Sequence, residues 1–261
     1  MSRRAVSLAT TALSVLMLGL TAGANQETKA ALTIRGKTQT LRLYGPRGGP
    51  PVVVSSGDGG WIHLAPHVAQ LLSARGFFVV GFDSRAYLWS FTSRDGPLRQ
   101  TDVPGDYRVL ADFASAGSGT RPVLVGVSEG AGLSVLASSG STARERVQGV
   151  VAIGLPEKNE LGWRWRDAAV YLTHGVPHEP MFHASDVVGG VSPAPLAEIH
   201  STRDEFVPLD ILHTILAHAS EPKRVWTVTA SNHGFTDNLH GFDLALIEAM
   251  DWVARQAPRR P

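Results

Sequence analysis

Three residue types that together make a nucleophile stand in this chain just after apolar runs. Ser128 closes the run Val123–Val127 within Gly126-Val127-Ser128-Glu129-Gly130. A short β-type run entering G-x-S-x-G, followed by small residues that open a helix, lays out a sharp turn that lifts the serine hydroxyl clear of the backbone. Gly126 and Gly130 flank the serine because side chains there would collide with so tight a turn. A serine hydroxyl attacks poorly at neutral pH unless a base removes its proton. The base must itself be oriented, usually by a carboxylate. Two later loops carry both types, Ser201-Thr202-Arg203-Asp204-Glu205-Phe206-Val207-Pro208 and Ser231-Asn232-His233-Gly234-Phe235. Asp204 follows Ser128 by 76 positions, and His233 follows Asp204 by 29. The expected catalytic residues are therefore Ser128, Asp204 and His233, with Glu205 and Asp210 as rival acids. His200 falls within a predicted strand and His240 on the last predicted helix, which favours His233 as the base.

Acyl transfer also requires preorganised N–H groups where the oxyanion develops. The amide of Glu129, next after the serine, is one expected donor. The Gly-rich turn Ser56-Gly57-Asp58-Gly59-Gly60-Trp61 offers the other, from Asp58 or else Gly59. Gly59, Trp61 and Glu129 are expected on the substrate side. Carboxylates beside an oxyanion would oppose it, so the side chains of Asp58 and Glu129 must point away or face a cation on the substrate. His63 and His67 have the i, i+4 spacing of helical metal ligands, and His174, His178 and His183 cluster later. No further ligand completes either set, so neither a metal nor a cofactor is expected.

Loops can hold such groups only if ordered elements place them. Predicted strands cover two short segments between Thr33 and Tyr44 around Gly36-Lys37, then 51–55, 77–82, 121–127, 147–155, 196–200 and 225–229. Predicted helices cover 63–75, 106–116, 130–139, 209–219 and 242–255. Continuous β-branched runs alternating with helices indicate an α/β fold, a mostly parallel sheet covered by helices on both faces. In such sheets catalytic groups sit on loops beyond the carboxyl ends of the strands. The order Ser, Asp, His along the chain is that of α/β-hydrolases. Residues 157–195 lack clear periodicity yet contain Trp163, Trp165 and Phe182, and are expected to form a cap over the site. Those tryptophans would either pack inside the cap or make peripheral contact with a membrane.

Arg3-Arg4, the apolar stretch Ala5–Leu20 and Thr21-Ala22-Gly23-Ala24 read as a secretory signal peptide over residues 1–24, the other reading being an uncleaved membrane anchor, and leave one domain over 25–261. Loss of that leader removes two arginines and no acidic residue, taking the formal net charge from +1 to −1. So neutral a chain argues against nucleic acid as a partner. With no cysteine, thiolate catalysis and Cys-bound zinc are excluded.

The segments Ser56-Gly57-Asp58-Gly59-Gly60-Trp61, Asp83-Ser84-Arg85-Ala86-Tyr87-Leu88-Trp89-Ser90 and Gly126-Val127-Ser128-Glu129-Gly130-Ala131 resemble the VirJ/AcvB branch of bacterial α/β-hydrolases over roughly residues 50–155. The resemblance implies a periplasmic enzyme that hydrolyses aminoacylated phosphatidylglycerol, chiefly the lysyl form. That branch usually carries Asp where this chain has Gly132, and the C-terminal half is similar to α/β-hydrolases of the dienelactone-hydrolase kind. The expectation is thus an exported serine hydrolase acting on a small-molecule or lipid ester. The other readings are a general carboxylesterase or lipase, or a non-catalytic periplasmic interaction module that retains the fold.

Overall fold

A computed structural model describes residues 27–92, 98–140, 145–164 and 179–256. The expected signal peptide, residues 1–24, lies outside them, as do Trp165, His174 and His178 of the expected cap. The strands are β1 (Thr28–Ile34), β2 (Lys37–Tyr44), β3 (Pro51–Ser55), β4 (Phe78–Phe82), β5 (Val123–Val127), β6 (Gly149–Ile153), β7 (Lys158–Glu160), β8 (Met181–His183), β9 (Leu196–Ser201) and β10 (Lys223–Val228). Eight of them form one sheet in the order β1-β2-β4-β3-β5-β6-β9-β10, while β7 and β8 pair separately. From β4 to β10 every neighbouring pair is parallel, and β1 and β2 add an antiparallel edge.

The central strands are apolar on both faces because helices cover both. Val52, Val54, Val125, Val151 and Ile153 pack with α1 (Leu64–Ser73) and with the last helix, Leu239–Gln256. Their alternates Val53, Val80 and Leu124 face α2 (Ser84–Phe91), α3 (Val103–Ser115) and α4 (Glu129–Ser139). Each such residue taken fully out of water contributes roughly 1.5–3 kcal/mol. Two short helical elements follow, α5 (Ala184–Val187) and α6 (Leu209–Ala217), which makes Leu239–Gln256 helix α7.

Helix α2 was not expected from the sequence, whose apolar periodicity there is poor. Its start signal is local: Asp83 Oδ1 accepts from the Ala86 amide as an N-cap. The expected cap also needs correction. Ala184, Val188, Val191 and Ala194 are buried against α4 and α6, so 184–195 belongs to the body of the domain. The aperiodicity of that stretch reflects short elements, not exposure. Trp163 is buried too, its ring stacked on Trp89 at 5.5 Å, which leaves it no free face for a lipid surface. Among the described residues no helix is long and apolar enough to cross a membrane.

The sheet and the serine turn meet at two glycines. A Cβ on Gly126 would lie 2.2 Å from the Gly130 carbonyl oxygen. One on Gly130 would lie 2.4 Å from the carbonyl oxygens of both Ser55 and Ser56. These contacts are with backbone, which cannot rotate away. Gly130→Ala is expected to lower the unfolding free energy by about 1–3 kcal/mol, read from the urea midpoint at unchanged m-value.

Candidate active site

Ser128 sits between β5 and α4 with φ 52° and ψ −120°, a conformation that side-chain-bearing residues rarely adopt. Its amide donates to Ile153 at 2.8 Å, and its carbonyl accepts from Ala131 at 2.7 Å. The chain thus turns straight from strand to helix. The first N–H groups of α4, beginning with Glu129, have no partner within the helix.

Asp204 follows β9 and His233 follows β10, the two strands at the far edge of the sheet. The structure brings them together: His233 Nδ1 lies 2.6 Å from Asp204 Oδ2. The other oxygen of Asp204, Oδ1, accepts from the amides of Phe206 and Val207, each at 2.9 Å. Burial alone would raise the Asp204 pKa, but the hydrogen bond and charge of His233 and those two amides hold it below the usual carboxylate range. An ionised carboxylate at Nδ1 fixes the proton there and leaves Nε2 as the lone-pair nitrogen. Nε2 is buried and has no hydrogen-bond partner among the described residues, Ser128 included. Such contacts often close only when substrate is bound. The ring rests on Gly154, whose φ is +62° and where a Cβ would fall 2.5 Å from Cε1 of His233. Gly154 was not singled out in the sequence; its position one residue beyond β6 was the available signal.

The rival residues are placed elsewhere. Glu205 binds the backbone amide of His233 through Oε2 at 2.7 Å, not its ring. Asp210 is in the first turn of α6. His200 is fully buried in β9, and His240 is exposed on α7. His67 bonds Asp243 at 2.6 Å, whereas His63 precedes α1 with φ 53°, so the pair does not share a helical face. His183 lies 3.2 Å from Glu157.

Ser128 and His233 line one cleft of about 430 Å³, together with Gly57, Asp58, Gly59, Gly60, Ile62, His63 and Glu205. Two residues expected on the substrate side are not among its walls. The Trp61 indole turns inward, stacked on Tyr44 at 6.3 Å and packed over Gly81, where a Cβ would meet it at 2.3 Å. A large ring next to a strand glycine is better buried than offered to the cleft. Glu129 is also turned away: its Oε1 accepts from the Glu160 amide at 2.8 Å. Burial and the nearby carboxylates of Glu160 and Asp58 raise its pKa well above the usual range. It therefore keeps its proton to higher pH than an exposed glutamate does.

The D-S-x-x-Y-x-W-S segment braces the glycine turn. Asp83 Oδ2 accepts from the Trp61 amide at 3.4 Å, and the Ser84 amide donates to Ser56 Oγ at 3.1 Å. The Tyr87 hydroxyl donates to Asp106 at 2.6 Å. Arg85 lies against Gly60, with its guanidinium 5.4 Å from the Trp163 ring centroid.

A sharply turned serine after the fifth strand, with the acid and imidazole beyond the last two, is the arrangement of the α/β-hydrolase fold. Solved structures agree. The chain is similar to the esterase domain of a Rhodothermus marinus protein (TM-score 0.60, 17% identity, covering 88% of this chain and 99% of that one). It is also similar to dienelactone hydrolase from Anabaena variabilis (0.59, 17%, 89% and 99%). A third likeness is to a membrane phospholipase A described as a bacterial virulence factor (0.61, 13%, 88% and 88%). Over residues 51–164 the chain also matches the family described as bacterial virulence protein (VirJ). No curated protein matches its sequence.

A raised carboxyl pKa in the folded state favours folding below the unfolded value and is lost as pH rises through the folded value. Glu129→Gln removes that dependence. The variant is expected to melt progressively higher than wild type as pH is raised above about 4.5, the ordinary glutamate value, with the two converging in more acidic solution, as thermal scans across pH would record.

Proposed function

We propose that the chain is an exported serine hydrolase that cleaves carboxylic esters through an acyl-enzyme. Ser128 Oγ attacks the ester carbonyl while His233 Nε2 takes its proton and then delivers it to the leaving alcohol. Asp204 keeps the imidazole oriented and offsets the charge it gains. The amides of Glu129 and of Asp58, with Gly59 as the alternative, receive the oxyanion. Water then attacks the acyl-enzyme with His233 again as base, releasing the acid and restoring Ser128. The observation that carries this reading is the 2.6 Å bond from His233 Nδ1–H to Asp204, which leaves Nε2 without a partner among the described residues, on a ring that lines the same cleft as Ser128.

The substrate reading rests on charge. Asp58 and Glu205 line the cleft, and among the described residues neither lysine nor arginine does. An ester whose acyl part carries an ammonium group suits such walls, and the VirJ resemblance points to aminoacyl-phosphatidylglycerol in the periplasm. The apolar side chains of Ile62, 49% exposed, and Phe206, 67% exposed beside the His233 ring, favour a second reading, a carboxylesterase or lipase for neutral acyl chains.

A fluorophosphonate probe is expected to label the wild-type protein and not Ser128→Ala; a wild type that stays unlabelled would leave the non-catalytic interaction module. Asp204→Asn should slow labelling by about 10³–10⁴-fold, since the imidazole loses both its tautomer and its counter-charge. Lysyl-phosphatidylglycerol hydrolysed in preference to p-nitrophenyl esters, with Asp58→Asn erasing the preference, would support the aminoacyl reading. The reverse preference selects the general esterase.

A further inference from the structure

Strand β9 carries two ionisable side chains that the reaction above does not use. Glu198 and His200 stand two apart, on one face of the strand, and both are fully buried. His200 Nδ1 lies 3.2 Å from Glu198 Oε1, and Nε2 lies 2.8 Å from the Val207 carbonyl oxygen. A carbonyl only accepts, so Nε2 carries a proton. Glu198 Oε1 accepts from the Leu155 amide at 3.1 Å, and Oε2 has no partner among the described residues.

The two ends of this pair reach the two segments that hold His233. Leu155 adjoins Gly154, the floor under the imidazole. Val207 donates its own amide to Asp204, the carboxylate that orients the ring. A buried ion pair adds little net stability, because desolvation of both charges offsets their attraction. Stability alone is therefore a poor reason for the pair to be here. We propose that Glu198 and His200 are positioning residues: a buried carboxylate–imidazole brace that ties the Asp204 loop to the turn beneath His233 and so fixes where Nε2 lies. This rests on the reading of Ser128, His233 and Asp204 given above.

Electrostatics agree with the geometry. Burial disfavours the His200 imidazolium, but the hydrogen bond and charge of Glu198, with the Val207 carbonyl and Asp204, outweigh it and raise its pKa. Burial raises the Glu198 pKa, opposed by His200, the Leu155 amide and His233.

The test compares His200→Leu, which severs the arm to Val207, with His200→Gln, which can still donate to that carbonyl. The double variant Glu198→Leu/His200→Leu removes the pair without stranding a buried charge. Two readouts apply to the full chain: the rate of fluorophosphonate labelling at Ser128, and the low-field proton resonance of the His233–Asp204 hydrogen bond. Folded leucine variants are expected to label at least tenfold more slowly and to lose or shift the resonance, while His200→Gln labels within threefold of wild type and keeps it. A folded leucine variant with wild-type rate and resonance overturns the proposal. So does His200→Gln behaving like leucine, or a fold that neither leucine variant retains, each of which makes the pair merely structural. Should wild type itself not label, the hydrolase reading fails, and the resonance alone decides the brace.

Discussion

Everything at this site depends on one left-handed residue. A backbone held in the conformation of Ser128 costs of order 1–3 kcal/mol and persists only where its surroundings over-determine it. Here they do. Gly126 and Gly130 let β3, β5 and the start of α4 approach closer than any side chain would permit, and Ile153 fixes the serine amide. Because β5 lies in mid-sheet between β3 and β6, the turn is anchored on both sides. The strain is thus supported by the part of the fold with the least freedom to relax.

The acid and the imidazole are held differently. They come from loops at the outer two strands, where the sheet gives less support. Polar contacts do the positioning there: two amides on Asp204 Oδ1, Glu205 on the His233 backbone, and Gly154 under the ring. Shape and hydrogen bonding therefore divide the work. Ser128 is set by packing, and the Asp204–His233 pair by a network of bonds.

Much of this was legible in the sequence because its signals are local. The strand-to-helix turn shows itself as two glycines about a serine, and the continuous Val-rich runs state that both faces of the sheet are covered. Asp204 stood out among acids by following an apolar strand directly, and it is the one whose carboxylate meets the His233 ring. The directions of side chains were not legible. Nothing local distinguishes a Trp61 that faces a cleft from one that packs on Gly81, or a Glu129 in solvent from one turned to the Glu160 amide. Those outcomes are decided by partners 20 to 31 positions away. The stretch 184–195 misled for a related reason. Its buried residues lie on elements too short to show a period.

The stacking of Trp89 on Trp163, with Arg85 reaching from that ring to Gly60, carries a mechanical implication. Trp163 opens the stretch that leads towards β8, whereas Gly60 closes the glycine turn at the cleft. One cation spans them. A shift of that indole would therefore be passed through the guanidinium to the glycine turn that lines the cleft.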